Sequence, residues 1–364
     1  MSHIVIDARI ISSSTGTYAE RLLHYLQQID KVNNYTILVL AKDKNFWQPT
    51  ATNFTVKVAD FKNYSLSEQI GFKKLLEELN PDLVHFCMPQ QPILYTGKHV
   101  TTIHDLTLLK TYNSDKNWLI YHAKQLVGRF VFKSVIKSSI HILTPTEYTK
   151  KEVIKFSKTA ANKTTAIHLS ADIFVDKLQP YDTPFDDYIL YVGQQSDYKN
   201  IRRLGDAHQK LLSKHPNLGL ILVGNKNASI LRNEKYFKDK NYRNIHFTGF
   251  LPNSQRDWLY KNTKAYIFPS LMEGFGLPGL EAMGYGAPVV SSNATCLPEV
   301  YGDAAHYFNP LDSCDIARAI DEVLIDKKLS KELISKGYDQ LKKYSWLRMA
   351  KQTHRVYVNV LCSR

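Results

Sequence analysis

The chain has 364 residues, 44% hydrophobic and 22% charged, which provides enough apolar surface for two cores of ordinary size and excludes wholesale disorder. Forty-seven Lys and Arg against 34 Asp and Glu leave a net charge of +13, so the partners to look for are anions: phosphorylated small molecules, anionic lipid headgroups or nucleic acid. Cys87, Cys296, Cys314 and Cys362 form no CxxC pair and neighbour no metal-spaced histidine, which excludes a zinc cluster and reads as free thiols of a reducing compartment.

The start, MSHIVIDARI, lacks the basic and apolar regions of a secretory signal. No apolar run reaches the ~18 residues of a membrane span. The expectation is a cytoplasmic protein, able to rest on a membrane face. Short apolar runs read as strands at 3–7, 35–40, 82–86, 99–103 and 140–144, with helical stretches at Tyr18–Ile29, Ser65–Leu79 and Lys116–Lys137 between them. Such alternation predicts a parallel sheet covered on both faces.

At 171–187 the text turns acidic, carries two prolines and loses periodicity, the signature of a linker. The alternation then restarts, with strands at 187–193, 218–224, 244–249, 264–270 and 287–292 and helices near 200–214, 253–261 and 278–284. Helical patterns fill the rest from Ser313, the last of them beginning after Ser345. The organisation is therefore an α/β chain of two doubly wound Rossmann-like domains, 1–170 and 188–345, followed by a terminal helix, 346–364.

The string with the most chemistry is EGFGLPGLEAMGYGAPVV, 273–290. A strand ending in Phe-Pro-Ser leads to Glu273, then to Gly274, Phe275 and Gly276, and a helix opens near Leu277 with Pro278 in its first turn. The glycines let backbone amides approach a ligand, and the helix start directs its positive end at the same place, which suits a diphosphate. Glu281 lies one turn further on. Both carboxylates are placed for the crevice at the carboxyl ends of the strands.

This segment resembles the E-x7-E signature of the GT4 retaining glycosyltransferases, a family of the GT-B fold, and the resemblance extends over nearly the whole chain. It implies two domains facing each other across a crevice, with the acceptor on the first and a nucleotide-sugar donor (a GDP-sugar or UDP-sugar) on the second. By resemblance, Glu273 sits near the hydroxyls of the transferred sugar and Glu281 on the nucleotide ribose. The amides of Gly274, Phe275, Gly276 and Leu277 hold sugar and diphosphate. YVGQQSDYKN, 191–200, resembles the family's strand and turn, so Gly193 lines the site and Lys199 neutralises the leaving diphosphate. Many relatives add an arginine directly after the glycine or before the lysine. Here those positions hold Gln194 and Tyr198, leaving Arg202 or Arg203 as candidates for the second charge. Gly249, Phe250 and Leu251 match the turn that lines the base. In the first domain, His104 of TIHDL matches the histidine that touches the donor sugar, with Asp105 beside it. Gly16 keeps one glycine of the family's Gly-x-Gly-x-Tyr loop while Ser14 replaces the other. Thr146 or Glu147 lines the crevice.

There is no Asp-x-Asp clamp, no HExxH and no Walker A loop. With the resemblance, this implies a metal-independent transfer that keeps the donor's anomeric configuration, uses no cofactor, and proceeds with closure about the linker. The expected acceptor is a glycan or polyprenyl-linked acceptor in cell-surface polysaccharide assembly, handled at an anionic membrane surface. The rival readings are another GT-B enzyme, such as a nucleotide-sugar epimerase or a sugar phosphorylase, and a basic nucleic-acid-binding protein. The last would need Lys and Arg interleaved with aromatics. The stretches at 62–74 and 155–163 are too diffuse for it.

Overall fold

A computed structural model describes residues 1–13, 15–62, 65–111 and 118–363, with side chains over 118–124 not among those described. Ser14 and Lys116 of the sequence reading thus lie outside the described residues. The described parts of Met1–Lys110, His122–Leu169 and Ser345–Arg364 make one compact unit, and Ser170–Tyr344 with the described part of Thr111–Tyr121 makes a second, so the helix Trp118–Ser138 of the first unit begins in residues counted with the second.

The first unit carries strands β1 (His3–Asp7), β2 (Asn34–Val39), β3 (Phe54–Val58), β4 (Leu83–Phe86), β5 (His99–Thr102), β6 (His141–Thr144) and β7 (Thr164–Ala166). They pair in the order β3-β2-β1-β4-β5-β6-β7, parallel throughout. The order reverses direction between β1 and β4, so the loops after these two strands leave on opposite sides and open a crevice at their carboxyl ends. Helices α1 (Gly16–Ile29), α2 (Lys73–Leu79), α3 (Thr107–Lys110), α4 (Trp118–Ser138) and α5 (Glu147–Phe156) cover the faces. Two strands beyond those read from sequence, β3 and β7, occupy the edges, where one side meets solvent and a continuous apolar run is unnecessary. Over 65–79 a π-helical turn, Glu68–Phe72, precedes α2; buried Glu68 ends beside Arg9.

The second unit repeats the plan. Strands β8 (Tyr188–Val192), β9 (Gly219–Val223), β10 (Ile245–Gly249), β11 (Ala265–Phe268), β12 (Val289–Ser292) and β13 (Ala305–Phe308) pair as β10-β9-β8-β11-β12-β13, all parallel. The switch falls between β8 and β11. Between them run α6 (Ile201–Leu211), α7 (Ala228–Asp239), α8 (Asn253–Asn262), α9 (Leu277–Gly284) and α10 (Leu297–Tyr301), followed by α11 (Ser313–Ile325) and α12 (Lys327–Leu341). The terminal helix α13 (Trp346–Cys362) belongs to the first unit. There Tyr357 meets His85 through hydroxyl and ring nitrogen at 2.5 Å, and His354 meets Asp30 at 2.9 Å.

The segment 171–187 is irregular apart from a short turn at Val175–Lys177. It is nevertheless tied to the second unit. The Phe174 amide donates to the Tyr285 hydroxyl at 3.0 Å, the Gln179 amide to the Ser254 carbonyl at 3.1 Å, and Tyr181 pairs with His246 at 2.9 Å.

Candidate functional site

In the second unit the two loops at the switch point are joined by Asn200. It adopts a left-handed φ of 64°. Its side-chain amide donates to the Pro269 carbonyl at 3.0 Å and the Pro310 carbonyl at 2.7 Å. This fixes Lys199, one residue earlier, over the loop that follows β11. The Lys199 ammonium then meets Glu273 Oε1 at 2.5 Å, with both side chains largely buried. It also lies 5.1 Å from the Tyr198 ring centre and 5.6 Å from that of Phe268. Burial opposes the charge on Lys199, but Glu273 and the neighbouring tyrosine oxygens outweigh it and hold its pKa well above the usual lysine range. The site therefore keeps one firmly protonated cation.

The loop bearing Glu273 is clamped from the β12–α10 connection. The Glu273 amide donates to Thr295 Oγ1 at 3.2 Å, and the Cys296 thiol donates to the carbonyls of Glu273 (3.2 Å) and Phe275 (3.5 Å). Thr295 holds φ at 59°, a left-handed conformation that a β-branched residue strongly resists. Such strain costs about 1–3 kcal/mol and persists where surrounding structure imposes it. Thr295→Gly should therefore raise the melting temperature while lowering kcat about tenfold, because the clamp on Glu273 is lost. Thr295→Ser should keep near-normal turnover. Equal turnover in the Gly and Ser variants would remove Thr295 from the site.

Gly276 closes the loop at φ 100° as the N-cap of α9, with no side chain capping the helix. A Cβ there would stand 2.5 Å from the Tyr301 hydroxyl, which donates to the Gly276 carbonyl at 2.6 Å. The helix start thus presents its dipole and leading amides to the crevice, fit for an anion. Phe275 is buried, edge-on to Tyr344 at 5.7 Å, so what it offers a ligand is backbone. Gly274 is buried and Leu277 partly so.

Glu281, on α9, accepts from the Tyr260 hydroxyl at 3.1 Å. Burial raises its pKa above the ordinary value, against the opposing pull of Arg256 and Tyr260. Arg256 is itself committed to Asp257 at 2.7 Å, and Asp257 takes a further bond from Tyr285 at 2.7 Å. Gly193 (φ 143°) directly follows β8. Gly249 (φ 72°) has open space where a Cβ would project, so its backbone is approachable, and Phe250 after it is 75% exposed. Both arginines considered for the second phosphate charge are engaged elsewhere. Arg202 donates to Asn233 at 3.2 Å and lies over Tyr236, while Arg203 donates to Asn200 at 2.6 Å. Gln195 Nε2 and Ser270 Oγ, on the loops after β8 and β11, are buried with no bonding partner among the described residues, polar capacity of the kind a ligand can use.

In the first unit, His104 follows β5. Its Nε2 lies 3.0 Å from the Cys87 carbonyl. A carbonyl only accepts, so Nε2 carries the hydrogen and Nδ1 is left as an acceptor. Burial lowers the His104 pKa, against the opposing effects of the Cys87 carbonyl and Asp105. It is a neutral ring, held edge-on to Tyr18 at 4.9 Å, and suited to receive a hydroxyl proton. Asp105 accepts the Thr107 amide at 2.7 Å and caps the short α3. Thr146 is likewise a buried cap, on Thr149, and Glu147 pairs with Lys150 at the surface. Gly16 is steric: a Cβ would stand 2.0 Å from the Ile11 carbonyl oxygen.

Several residues were not read from the sequence. Asp7, Arg9 and Glu68 form a buried ion triad at the β1 end, at 2.8 and 3.0 Å, with Gln90 bonded to Glu68 at 3.1 Å. Asp-Ala-Arg at the end of a strand was the available signal for its first two members. Thr295, Cys296 and Tyr260 act by contacts between segments distant in sequence, which no local pattern announces. Among the described residues no group of His, Cys, Asp and Glu has the geometry of a metal site.

Two doubly wound units, one with a lysine–glutamate pair at an uncapped helix start, define a GT-B glycosyltransferase architecture. The family model described as "Glycosyl transferases group 1" matches residues 179–340. The O-antigen chain mannosyltransferase B of Escherichia coli is 32% identical over 275 residues, covering 71% of this chain and 69% of that protein. The serotype-specific mannosyltransferase WbdA of Escherichia coli is 31% identical over 266 residues, 70% of this chain but 32% of the relative, so this chain matches about a third of that relative's length. A solved sucrose-phosphate synthase of Thermosynechococcus elongatus superposes with a TM-score of 0.78 over 100% of both chains at 16% identity, which is a likeness of fold. The chain belongs to the glycosyl transferases group 1 family and is a GT4-type glycosyltransferase of the GT-B fold.

Proposed function

We propose that the protein transfers mannose from GDP-mannose to a glycan acceptor, lipid-linked during its assembly, on the cytoplasmic side of a membrane. The sugar is taken from the relatives named as O-antigen mannosyltransferases. The observation that carries the reaction is the Lys199–Glu273 pair at 2.5 Å, next to the uncapped start of α9.

In this reading the nucleotide ribose bonds Glu281. The diphosphate is neutralised by Lys199 and the amides of 274–277, and the mannose hydroxyls meet Glu273. Hydroxyl recognition is also what the free acceptor nitrogen of His104 offers. The bond from mannose C1 to the phosphate oxygen breaks, and its electron pair leaves with GDP. The acceptor oxygen bonds C1 from the face that the phosphate leaves, and the acceptor proton passes to the departing phosphate oxygen. This preserves the α configuration. The negative charge developing on the phosphate is met by a fixed cation and by backbone dipoles, the role often given to a metal. We therefore propose that the reaction needs none.

A thermal-shift screen against GDP-mannose, UDP-glucose, ADP-glucose and dTDP-glucose tests the donor. GDP-mannose at a hundredfold excess over its Kd should stabilise the protein by about 2.7 kcal/mol, and the others far less. Turnover of GDP-mannose should survive EDTA and give an α-linked product by NMR. Stabilisation by a uridine donor alone would overturn the base, and loss of turnover in EDTA with rescue by Mn²⁺ would overturn metal independence.

A further inference from the structure

The cytoplasmic-face reading leaves open which surface meets the membrane, and one surface of the first unit has the chemistry for it. Helix α4, Trp118–Ser138, contains Lys124, Arg129, Lys133 and Lys137 and no carboxylate in its 21 residues. Phe132 and Ile136 turn into a core with Ile103, Leu106, Leu109 and Ile142. The opposite face carries Leu126, Phe130, Lys133 and Lys137 at helical spacing along one stripe, flanked by Val127 and Arg129. Its apolar members are strongly exposed: Leu126 71%, Val127 63% and Phe130 62%. Leu108 of α3, 63% exposed, extends the patch, because the Gln125 side chain bonds the Leu108 carbonyl at 2.6 Å and ties the two helices together. Arg129, Lys133 and Lys137 are exposed, and no ion pair among the described residues engages them.

Ordinary solvated helix faces carry both signs of charge. An apolar strip continuous with cations and free of anions is the composition of a helix lying in the plane of an anionic bilayer, its apolar side chains among the acyl chains and its cations at the headgroups. The spanning alternative is closed, because among the described residues no helix is long and apolar enough to cross a membrane. A protein partner of comparable apolarity would leave three like charges facing one another's neighbours without compensation, whereas anionic headgroups supply it.

We infer that residues 126–137 of α4 and the tip of α3 form a docking surface for an anionic lipid bilayer, placing this enzyme at the membrane that holds its lipid-linked acceptor. The inference rests on the proposed function for its purpose, not for its physics. In co-sedimentation with the full chain, vesicles containing phosphatidylglycerol should pellet the protein, and vesicles of phosphatidylcholine alone should not. Each cation at such a surface contributes about fivefold in partitioning, so a variant with Arg129→Gln, Lys133→Gln and Lys137→Gln should bind roughly a hundredfold more weakly. Leu126→Ser with Phe130→Ser should lose at least about tenfold. All five side chains are exposed, so both variants should keep the wild-type melting temperature and GDP-mannose shift. Wild-type binding indifferent to anionic lipid, or variants that bind as well as wild type, would overturn the surface. So would concentration-dependent self-association, abolished by Leu126→Ser and Phe130→Ser, without vesicle binding. A retained donor shift alongside any of these would leave the transferase reading standing; loss of the shift with vesicle binding intact would do the reverse.

Discussion

Lys199→Ala is expected to lower kcat by about 10²–10³-fold, the usual loss when one fixed electrostatic donor to a developing anion is removed. It should also lower stability. The lysine and Glu273 retain only 14% and 12% side-chain exposure, and removing one member of such a pair strands a carboxylate in a poor solvent. A loss of roughly 3 kcal/mol is expected, the low end for buried pairs because some solvent still reaches the group. Two effects on one residue must be separated before the rate can be read as catalysis. Glu273→Gln in the Lys199→Ala background removes the stranded charge, so the double variant should recover most of the stability in denaturant melts and none of the rate. Parallel recovery of both would make Lys199 a structural partner of Glu273 and nothing more. Glu273→Ala alone should reduce turnover at least tenfold, since it leaves the lysine charge without its anchor and the sugar without its carboxylate. The pair is worth such a test because its two members do different work. Glu273 holds Lys199 in place and protonated, and in the proposed reaction Lys199 would face the charge that grows as the glycosidic phosphate leaves.

The legible part of this chain was what lies near in sequence. The central strands β1, β2, β4, β8, β9, β11 and β12 are largely buried runs of four to six residues, and burial on both faces writes them as mostly apolar text. The helix start after Glu273 was legible because glycines, a proline and two carboxylates crowd into one short string. The edge strands β3, β7 and β13 were not, since a half-exposed edge tolerates FTVKV or TTA as well as a buried run would VVSS. Helix α7, ASILRNEKYFKD, was passed over for a similar reason: it buries only Ile230, Asn233 and Phe237. Within the candidate site, the sequence pointed to the two carboxylates and the lysine but not to what holds them. Thr295 clamps Glu273 from 22 residues away and Tyr260 reaches Glu281 from 21. Those contacts exist only once the strands order themselves around the switch point. The departure at Gln194 and Tyr198 was visible, yet its consequence was not. The arginines that follow are spent on Asn233 and Asn200, which leaves the helix start as the second source of positive potential.

The clearest separation of binding from folding should come from Glu281→Gln. At neutral pH a carboxylate accepting two ribose hydroxyls makes charge-assisted bonds worth about 1.5–3 kcal/mol each, so the amide variant should bind GDP-mannose at least about tenfold more weakly by titration calorimetry. Its stability should move the other way. Burial raises the Glu281 pKa above 4.5 in the folded protein, which means the folded state holds this proton more tightly than the unfolded chain does. The stability contributed by that proton is complete below about 4.5 and is lost as pH rises through the folded value. Once pH has risen past that folded value, the wild type carries the cost of an ionised buried carboxyl that Arg256 and Tyr260 only partly offset. The glutamine does not carry it. Melting temperatures of the variant should equal or exceed the wild type at pH 7.5, and the gap should close as pH falls toward 4.5. A variant clearly less stable than wild type at pH 7.5, with donor affinity unchanged, would recast Glu281 as the structural counter-ion of Arg256. The predicted combination, weaker donor binding in a protein at least as stable, is what a group costs when it is kept charged and underpaired for a ligand.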